Sequence, residues 1–263
     1  MVVFEKGKYI DGYLQKNLEM LKKAVDLNWD ACGFFSGFEG DGKTTLAIQL
    51  AYYVDRSFNL DRIVFTGDQF KDACLLAKNK EAIVFDESYY DFTSAATLTK
   101  QSRLLRSMLT MIRKKQLFIF IVAPTFFDIQ KYIAVHRSRF LIHVYSKGLE
   151  RGFFAFYNRA RKQQLFMKGR RENNMSVTKP NFIGRFTKWF LVDEVAYDKK
   201  KESSIQQLEH EKTPVWACPK CLSRDSRASK GTVEVWCRKC GFVGESGDFK
   251  KKLKEAGEKI EEV

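Results

Sequence analysis

The eight residues Gly37-Phe-Glu-Gly-Asp-Gly-Lys-Thr44 carry the densest chemical signal in the chain. An apolar run, ACGFFS at 31–36, precedes them, and an amphipathic stretch from Thr44 to about Val54 follows. Strand, glycine-rich turn and helix in that order aim backbone N–H groups and the positive end of a helix dipole at an anion. At this spacing Lys43 reaches the β- and γ-phosphates of a nucleotide and the Thr44 hydroxyl ligates Mg²⁺. Gly37, Glu39, Gly40, Asp41, Gly42, Lys43, Thr44 and Thr45 are the expected nucleotide-binding residues.

A second carboxylate-bearing segment completes the pattern. Ala82-Ile-Val-Phe-Asp86-Glu87 reads as an apolar strand ending in two acids. Asp86 is placed to hold the Mg²⁺ shell, and Glu87 to polarise an attacking water. The adjacent pair favours hydrolysis over transfer of phosphate to a small acceptor. Thr125 follows the next apolar strand (117–123), where it is either a γ-phosphate sensor or the N-cap of the next helix. Arg137 and Arg139, just before another strand, have three readings: an arginine finger for a neighbouring subunit's nucleotide, a DNA-phosphate contact, or solvated charge. The expected catalytic set is thus Lys43, Glu87, Thr125, Arg137 and Arg139.

Cys218-Pro-Lys-Cys221 and Cys237-Arg-Lys-Cys240, with fifteen residues between them, have zinc-site spacing. Each pair sits on a tight turn, so four thiolates converge on one Zn²⁺ in a closed, structural site. The alternating TVEVW (232–236) between them supplies a strand, giving a zinc ribbon that needs its metal to fold. Its basic residues favour a nucleic-acid partner, with a protein partner the other reading. Cys32 and Cys74 read as small core residues.

The elements that must position these groups alternate between strand and helix. Asp11 caps a helix to about Asp26, with Leu14, Leu18, Leu21 and Val25 on one face. Strands are expected at 31–36, 62–65, 81–85, 117–123 and 139–145, with helices at 44–54, 68–78, 98–115 and 127–135. Residues 153–157 and 164–167 read as a terminal hairpin. The result is an α/β P-loop fold with a mostly parallel sheet covered by helices. The expected layout is an ATPase domain over 1–170, an extended arm over 171–213, a zinc ribbon over 214–246 and a charged tail over 247–263.

The chain has 263 residues and a net charge of +14. Between Lys100 and Arg171 stand 17 Lys and Arg against only Asp128 and Glu150, so this stretch carries the whole excess. So concentrated a field fits nucleic-acid phosphate. No basic-then-apolar leader opens the chain, and no apolar run approaches the ~20 residues of a membrane helix, so a cytoplasmic protein is expected.

From Trp29-Asp through GFEGDGKTT, VFDE and the strand LFIFIVAPTFF, the sequence resembles the additional-strand catalytic-glutamate P-loop ATPases. Within that class it is similar to the FtsK/HerA-like motors, notably zonular-occludens-toxin-like and virus DNA-packaging ATPases. The resemblance spans about residues 15–160 and implies ATP and Mg²⁺ roles for Lys43, Thr44, Asp86 and Glu87. It also implies a homo-oligomeric ring acting on DNA. The filamentous-phage branch carries a membrane span, and none is read here. The leading expectation is a nucleic-acid-dependent motor ATPase of a virus or mobile element. The alternative is an ATP-dependent switch or loader acting on a protein partner; a membrane-surface assembly factor is a third.

Overall fold

The computed structural model describes residues 2–5, 7–86, 112–189, 191–212, 218–221, 223, 226–228 and 234–245. The chain divides into two compact units, 1–204 and 205–263.

The first unit is built on a seven-stranded sheet. Its strands are β3 (Ala31–Ser36), β4 (Ile63–Val64), β5 (Ala82–Phe85), β6 (Phe118–Val122), β7 (Phe140–Lys147), β8 (Glu150–Tyr157) and β9 (Phe182–Arg185). They lie in the order β4-β5-β6-β3-β7-β8-β9. The strands from β4 to β7 run parallel, while β8 and β9 add an antiparallel edge. A separate hairpin pairs β1 (Val2–Glu5) with β2 (Lys8–Ile10). β6 lies between the glycine-loop strand β3 and the Asp86 strand β5, the arrangement that an additional strand denotes.

Both faces of the sheet are covered, which is why its central strands are apolar throughout. Side chains alternate across β3: Cys32 and Phe34 enter one core, Ala31 and Phe35 the other. Helices α1 (Gly12–Asp26) and α2 (Lys43–Val54) pack on the Phe35 face. Helix α3 (Gly67–Leu76) and helix α4 (Arg159–Gly169) pack on the Phe34 face. In α1 the Asp11 carboxylate accepts from the Tyr13 and Leu14 amides at 3.0 Å, and Leu14, Leu18, Leu21 and Val25 are buried as their spacing requires.

The structure departs from expectation in three places. Residues 164–167 are helical: Asn158 caps α4 through the Arg161 amide, and Leu165 and Phe166 are buried from the helix, with β8 pairing to β7 instead. The helix expected over 127–135 is a π-helical turn at Tyr132–Arg137. Its last carbonyls are held by Lys162, wholly buried, whose Nζ donates to Ala134, Val135 and Ser138 main-chain oxygens at 2.6–3.0 Å. Finally, the described residues of the expected 171–213 arm are not extended throughout. They hold edge strand β9, whose Phe182 stacks on Phe156 at 4.7 Å, and helix α5 (Glu194–Lys212). Of the basic helix expected over 98–115, residues 98–111 lie outside the described residues, and Ile112–Lys115 form a 3₁₀ turn.

In the second unit, strands β10 (Ser226–Ala228), β11 (Glu234–Cys237) and β12 (Val243–Glu245) form an antiparallel sheet in chain order. The tail at 247–263 lies outside the described residues.

Candidate functional site

Parallel register sets the site at the C-terminal ends of the central strands. Phe85 is level with Ile121, and Val122 with Phe35, so Asp86 emerges beside the start of the glycine loop. The loop leaves β3 at Gly37, whose φ is 148° and where a Cβ would sit 2.1 Å from the Val144 carbonyl oxygen. It enters α2 at Gly42, in the left-handed region at φ 93°, with the Phe186 ring against it. Gly42 offers no side-chain cap to α2, so the first amides of that helix are left for an anion. Asp41 stiffens the turn: it accepts from the Phe38 amide at 3.0 Å and from Ser146 Oγ at 2.5 Å.

Lys43 Nζ donates to the Phe38 carbonyl at 2.7 Å, folded over the loop it would share with phosphate. Thr44 Oγ1 donates to Asp86 Oδ1 at 3.0 Å, although the two are 42 residues apart. A hydroxyl and a buried carboxylate meeting at the mouth of the loop are hard oxygen donors of the kind Mg²⁺ takes. Glu87 lies outside the described residues.

A cavity of about 880 Å³ opens here, large enough for a nucleotide. Residues 39–45 and Asp86 form one wall, with Ala123 and Pro124 beyond β6. Thr125 is half-buried one residue further on, and is not among the lining residues. The opposite wall was not legible in the sequence: Arg151, Arg185, Phe186, Lys188, Tyr197 and Lys201 all face the cavity. Gln49 of α2 anchors that wall by donating to the main-chain oxygens of Thr187 and Trp189 at 2.8 and 3.0 Å. No local motif flags these residues; only strand pairing and helix packing bring them to the loop.

Tyr197 matters most among them. Its hydroxyl donates to Asp86 Oδ2 at 2.5 Å, so the carboxylate is held from both sides, by Thr44 and by a tyrosine 111 residues away. Groups that orient a metal ligand are worth about 10–100-fold in affinity or activity. With Asp86 as a Mg²⁺ ligand, the role proposed below, Tyr197→Phe is expected to raise the Mg²⁺ concentration for half-maximal activity about tenfold, with nucleotide affinity in the absence of Mg²⁺ unmoved. A magnesium titration of hydrolysis checks it.

Behind the loop, Ser36 Oγ and His143 Nδ1 are 3.1 Å apart. Burial lowers the His143 pKa from 6.5 to about 4, outweighing the upward pull of Asp41, with a smaller downward push from Lys43. Between these values the unfolded chain binds the proton and the folded one does not, so stability is lost as pH falls from 6.5 towards 4. The expected loss is about 3 kcal/mol. Chemical denaturation at pH 6.5 and pH 4.5 should show a slope that His143→Phe reduces.

Arg137 and Arg139 are not brought to this cavity. Arg139 N donates to Cys32 O at 2.7 Å, which fixes the pair at the opposite, N-terminal ends of the central parallel strands, about 17 Å from Gly37 along β3. Arg137 forms a largely buried ion pair with Asp30 there, and Arg139 Nε donates to the Asp30 carbonyl at 2.7 Å.

In the second unit Cys218, Cys221, Cys237 and Cys240 have all four sulfurs within 4.8 Å of one another, with 3.4 Å for Cys218–Cys240 and 3.6 Å for Cys221–Cys237. A tetrahedron of thiolates at zinc-like bond lengths has edges of about 3.8 Å, so the cluster fits a four-coordinate ion. Gly241, at φ 72°, closes the second turn as its amide donates to Cys237 O at 2.9 Å.

A glycine loop between a central parallel strand and an uncapped helix, with a threonine hydroxyl on the acid of a neighbouring strand, decides the fold. It is a P-loop NTPase fold. No protein-family model matches the sequence, and no curated protein matches it. Among solved structures, the genome-packaging NTPase B204 of Sulfolobus turreted icosahedral virus 2 is similar at 13% identity and TM-score 0.38, over 49% of this chain and 92% of that one. The N-terminal domain of zonular occludens toxin from Neisseria meningitidis is similar at 16% identity and TM-score 0.39, over 65% and 98%. The AAA domain of FIGL-1 with ADP matches at 11% identity and TM-score 0.39, over 78% and 91%. All three likenesses are remote, so chemistry is assigned to this P-loop chain on its own residues. Among the described residues no helix is long and apolar enough to cross a membrane.

Proposed function

We propose that this protein is a Mg²⁺-dependent ATPase that couples hydrolysis to the binding or movement of nucleic acid, DNA foremost, as a homo-oligomer. The observation that carries the ATPase reading is the Thr44–Asp86 hydrogen bond at the mouth of a P-loop whose helix has no side-chain cap. In the proposed mechanism the loop amides and Lys43 bind the β- and γ-phosphates. Thr44 and Asp86 would hold Mg²⁺, which when bound neutralises charge on the phosphate oxygens. Glu87, next in the chain after Asp86, accepts a proton from the water that attacks the γ-phosphorus, as the bond from that phosphorus to the β,γ-bridging oxygen breaks and ADP leaves. The wall formed by Arg185, Phe186, Lys188, Tyr197 and Lys201 narrows access of bulk water to the cavity.

Thr125 keeps a sensor role within this proposal, since its neighbour Pro124 lines the cavity and accepts from the Gly37 amide at 3.3 Å. Arg137 and Arg139 have no part in the chemistry of their own subunit's nucleotide. The four cysteines are proposed to hold a structural Zn²⁺, making the second unit a zinc ribbon. The charge between Lys100 and Arg171 supports the nucleic-acid partner, because a net excess of +15 in 72 residues is a strong field for phosphate.

Phosphate release from ATP, with Mg²⁺ present or omitted, tests the ATPase reading. Turnover that requires Mg²⁺ and disappears in Lys43→Ala is expected. ATP binding that is indifferent to that substitution would contradict it.

A further inference from the structure

A second cavity, of about 370 Å³, lies at the N-terminal ends of the central strands, opposite the P-loop. Arg113, Arg137, Arg139 and Arg159 line it, with the rings of Trp29 and Tyr132. Four guanidinium groups converge from the 3₁₀ turn before β6, the entry to β7 and the first turn of α4. Asp30 is the single carboxylate in the lining. The Arg139 guanidinium lies 4.6 Å from the centre of the Trp29 ring, and Trp29 remains 48% exposed, Tyr132 37%. Burial, and then Arg137 and Arg159 working against Asp30, lowers the proton affinity of Arg139. Asp30 offsets one of the four charges through Arg137, and the excess that remains in this hollow is relieved when a further anion enters.

Nothing in ATP hydrolysis by the same subunit uses this hollow, which is about 17 Å from the glycine loop. We propose that it is a nucleic-acid site, in which Arg113, Arg139 and Arg159 take phosphates of a strand, Arg137 stays paired with Asp30, and the exposed face of Trp29 stacks an unpaired base. Arginine beside an open indole is how strands are gripped without sequence preference, each stacked base contributing through its π-face. This rests on the reading of nucleic acid as the partner, and it names where on the P-loop unit that partner sits.

The test is fluorescence anisotropy of the zinc-loaded full chain with a labelled mixed-sequence single strand and with its duplex, over a range of salt. Arg113 and Arg159 are reversed together as R113E/R159E. Arg113 is exposed, and a glutamate at 159 suits the first turn of α4, so melting should match the parent. K16E/K23E, on the exposed face of α1, makes the same change in net charge elsewhere. The expected result for R113E/R159E is at least tenfold weaker binding of the single strand and a log–log salt slope smaller by about 2. The control pair should shift binding far less.

Equal losses in the two double variants would overturn the site while leaving the partner reading standing. Trp29→Ala should weaken the single strand more than the duplex; equal weakening overturns the stacking role. Failure of the parent protein to bind either probe at low salt would overturn the partner reading itself.

Discussion

Asp86→Asn is expected to lower ATP turnover about a thousandfold, close to 4 kcal/mol of transition-state stabilisation. The carboxylate has two tasks that an amide cannot share. One oxygen accepts from Thr44 and the other from Tyr197, and both are buried with the residue 3% exposed. Asparagine offers one accepting oxygen and one NH₂ group, so one of the two hydroxyls loses its acceptor and faces a donor instead. The negative charge proposed to hold Mg²⁺ is lost as well, and charge on the metal is what the transferred phosphoryl group relies on. Nucleotide should still bind, since Lys43 and the loop amides are untouched. Single-turnover hydrolysis alongside fluorescent-nucleotide binding separates these effects; parallel loss of both would mean that Asp86 holds up the loop rather than the chemistry.

Removal of metal is expected to unfold the second unit and leave the first folded. Its described core is small, with Cys218, Val235 and Cys237 buried and Cys221 and Phe242 packed against them. Two of the three buried residues are the proposed ligands, so the metal accounts for much of what the interior contains. Structural zinc in such small folds contributes about 10–16 kcal/mol, more than any packing available here. A strong chelator, or Cys221→Ser with Cys237→Ser, should therefore abolish amide protection in β10–β12. Protection in β3, β5 and β6 should persist. Cobalt substitution, with the thiolate-to-metal absorption it brings, reports the four-sulfur site directly. Undiminished protection of β11 after complete metal removal would contradict the assignment.

Sequence alone exposes those parts of the site whose residues are near one another along the chain. Gly37–Thr44 is one contiguous turn, and Asp86 ends an apolar strand, so both are visible as local patterns. Helix α1 is equally legible, because Asp11 and four aliphatic residues at helical spacing are local information. The outer wall of the cavity is different. Arg151 and Arg185 arrive there because β8 and β9 pair antiparallel at the sheet edge, and β9 has only four residues with half-exposed side chains. Tyr197 sits on a helix that is mostly polar, with its few apolar residues scattered, so no apolar stripe announces which face is buried. Conversely, Arg137 and Arg139 are conspicuous in sequence, yet register decides that they stand at the far ends of the central strands, where Arg139 is level with Cys32. Residues 164–167 show the limit of short apolar runs: Leu165 and Phe166 serve a helix as well as a strand, and Asn158 as its cap decides the matter.

The central claim, hydrolysis coupled to nucleic acid, is tested most directly by steady-state ATP turnover of the zinc-loaded protein with and without single- and double-stranded DNA, against Glu87→Gln. The expected result is clear stimulation by DNA at low salt, suppressed as salt rises and absent in the variant, which still binds ATP. A basal rate that no nucleic acid changes at low salt would contradict the coupling, and would point instead to an ATP switch acting on a protein partner.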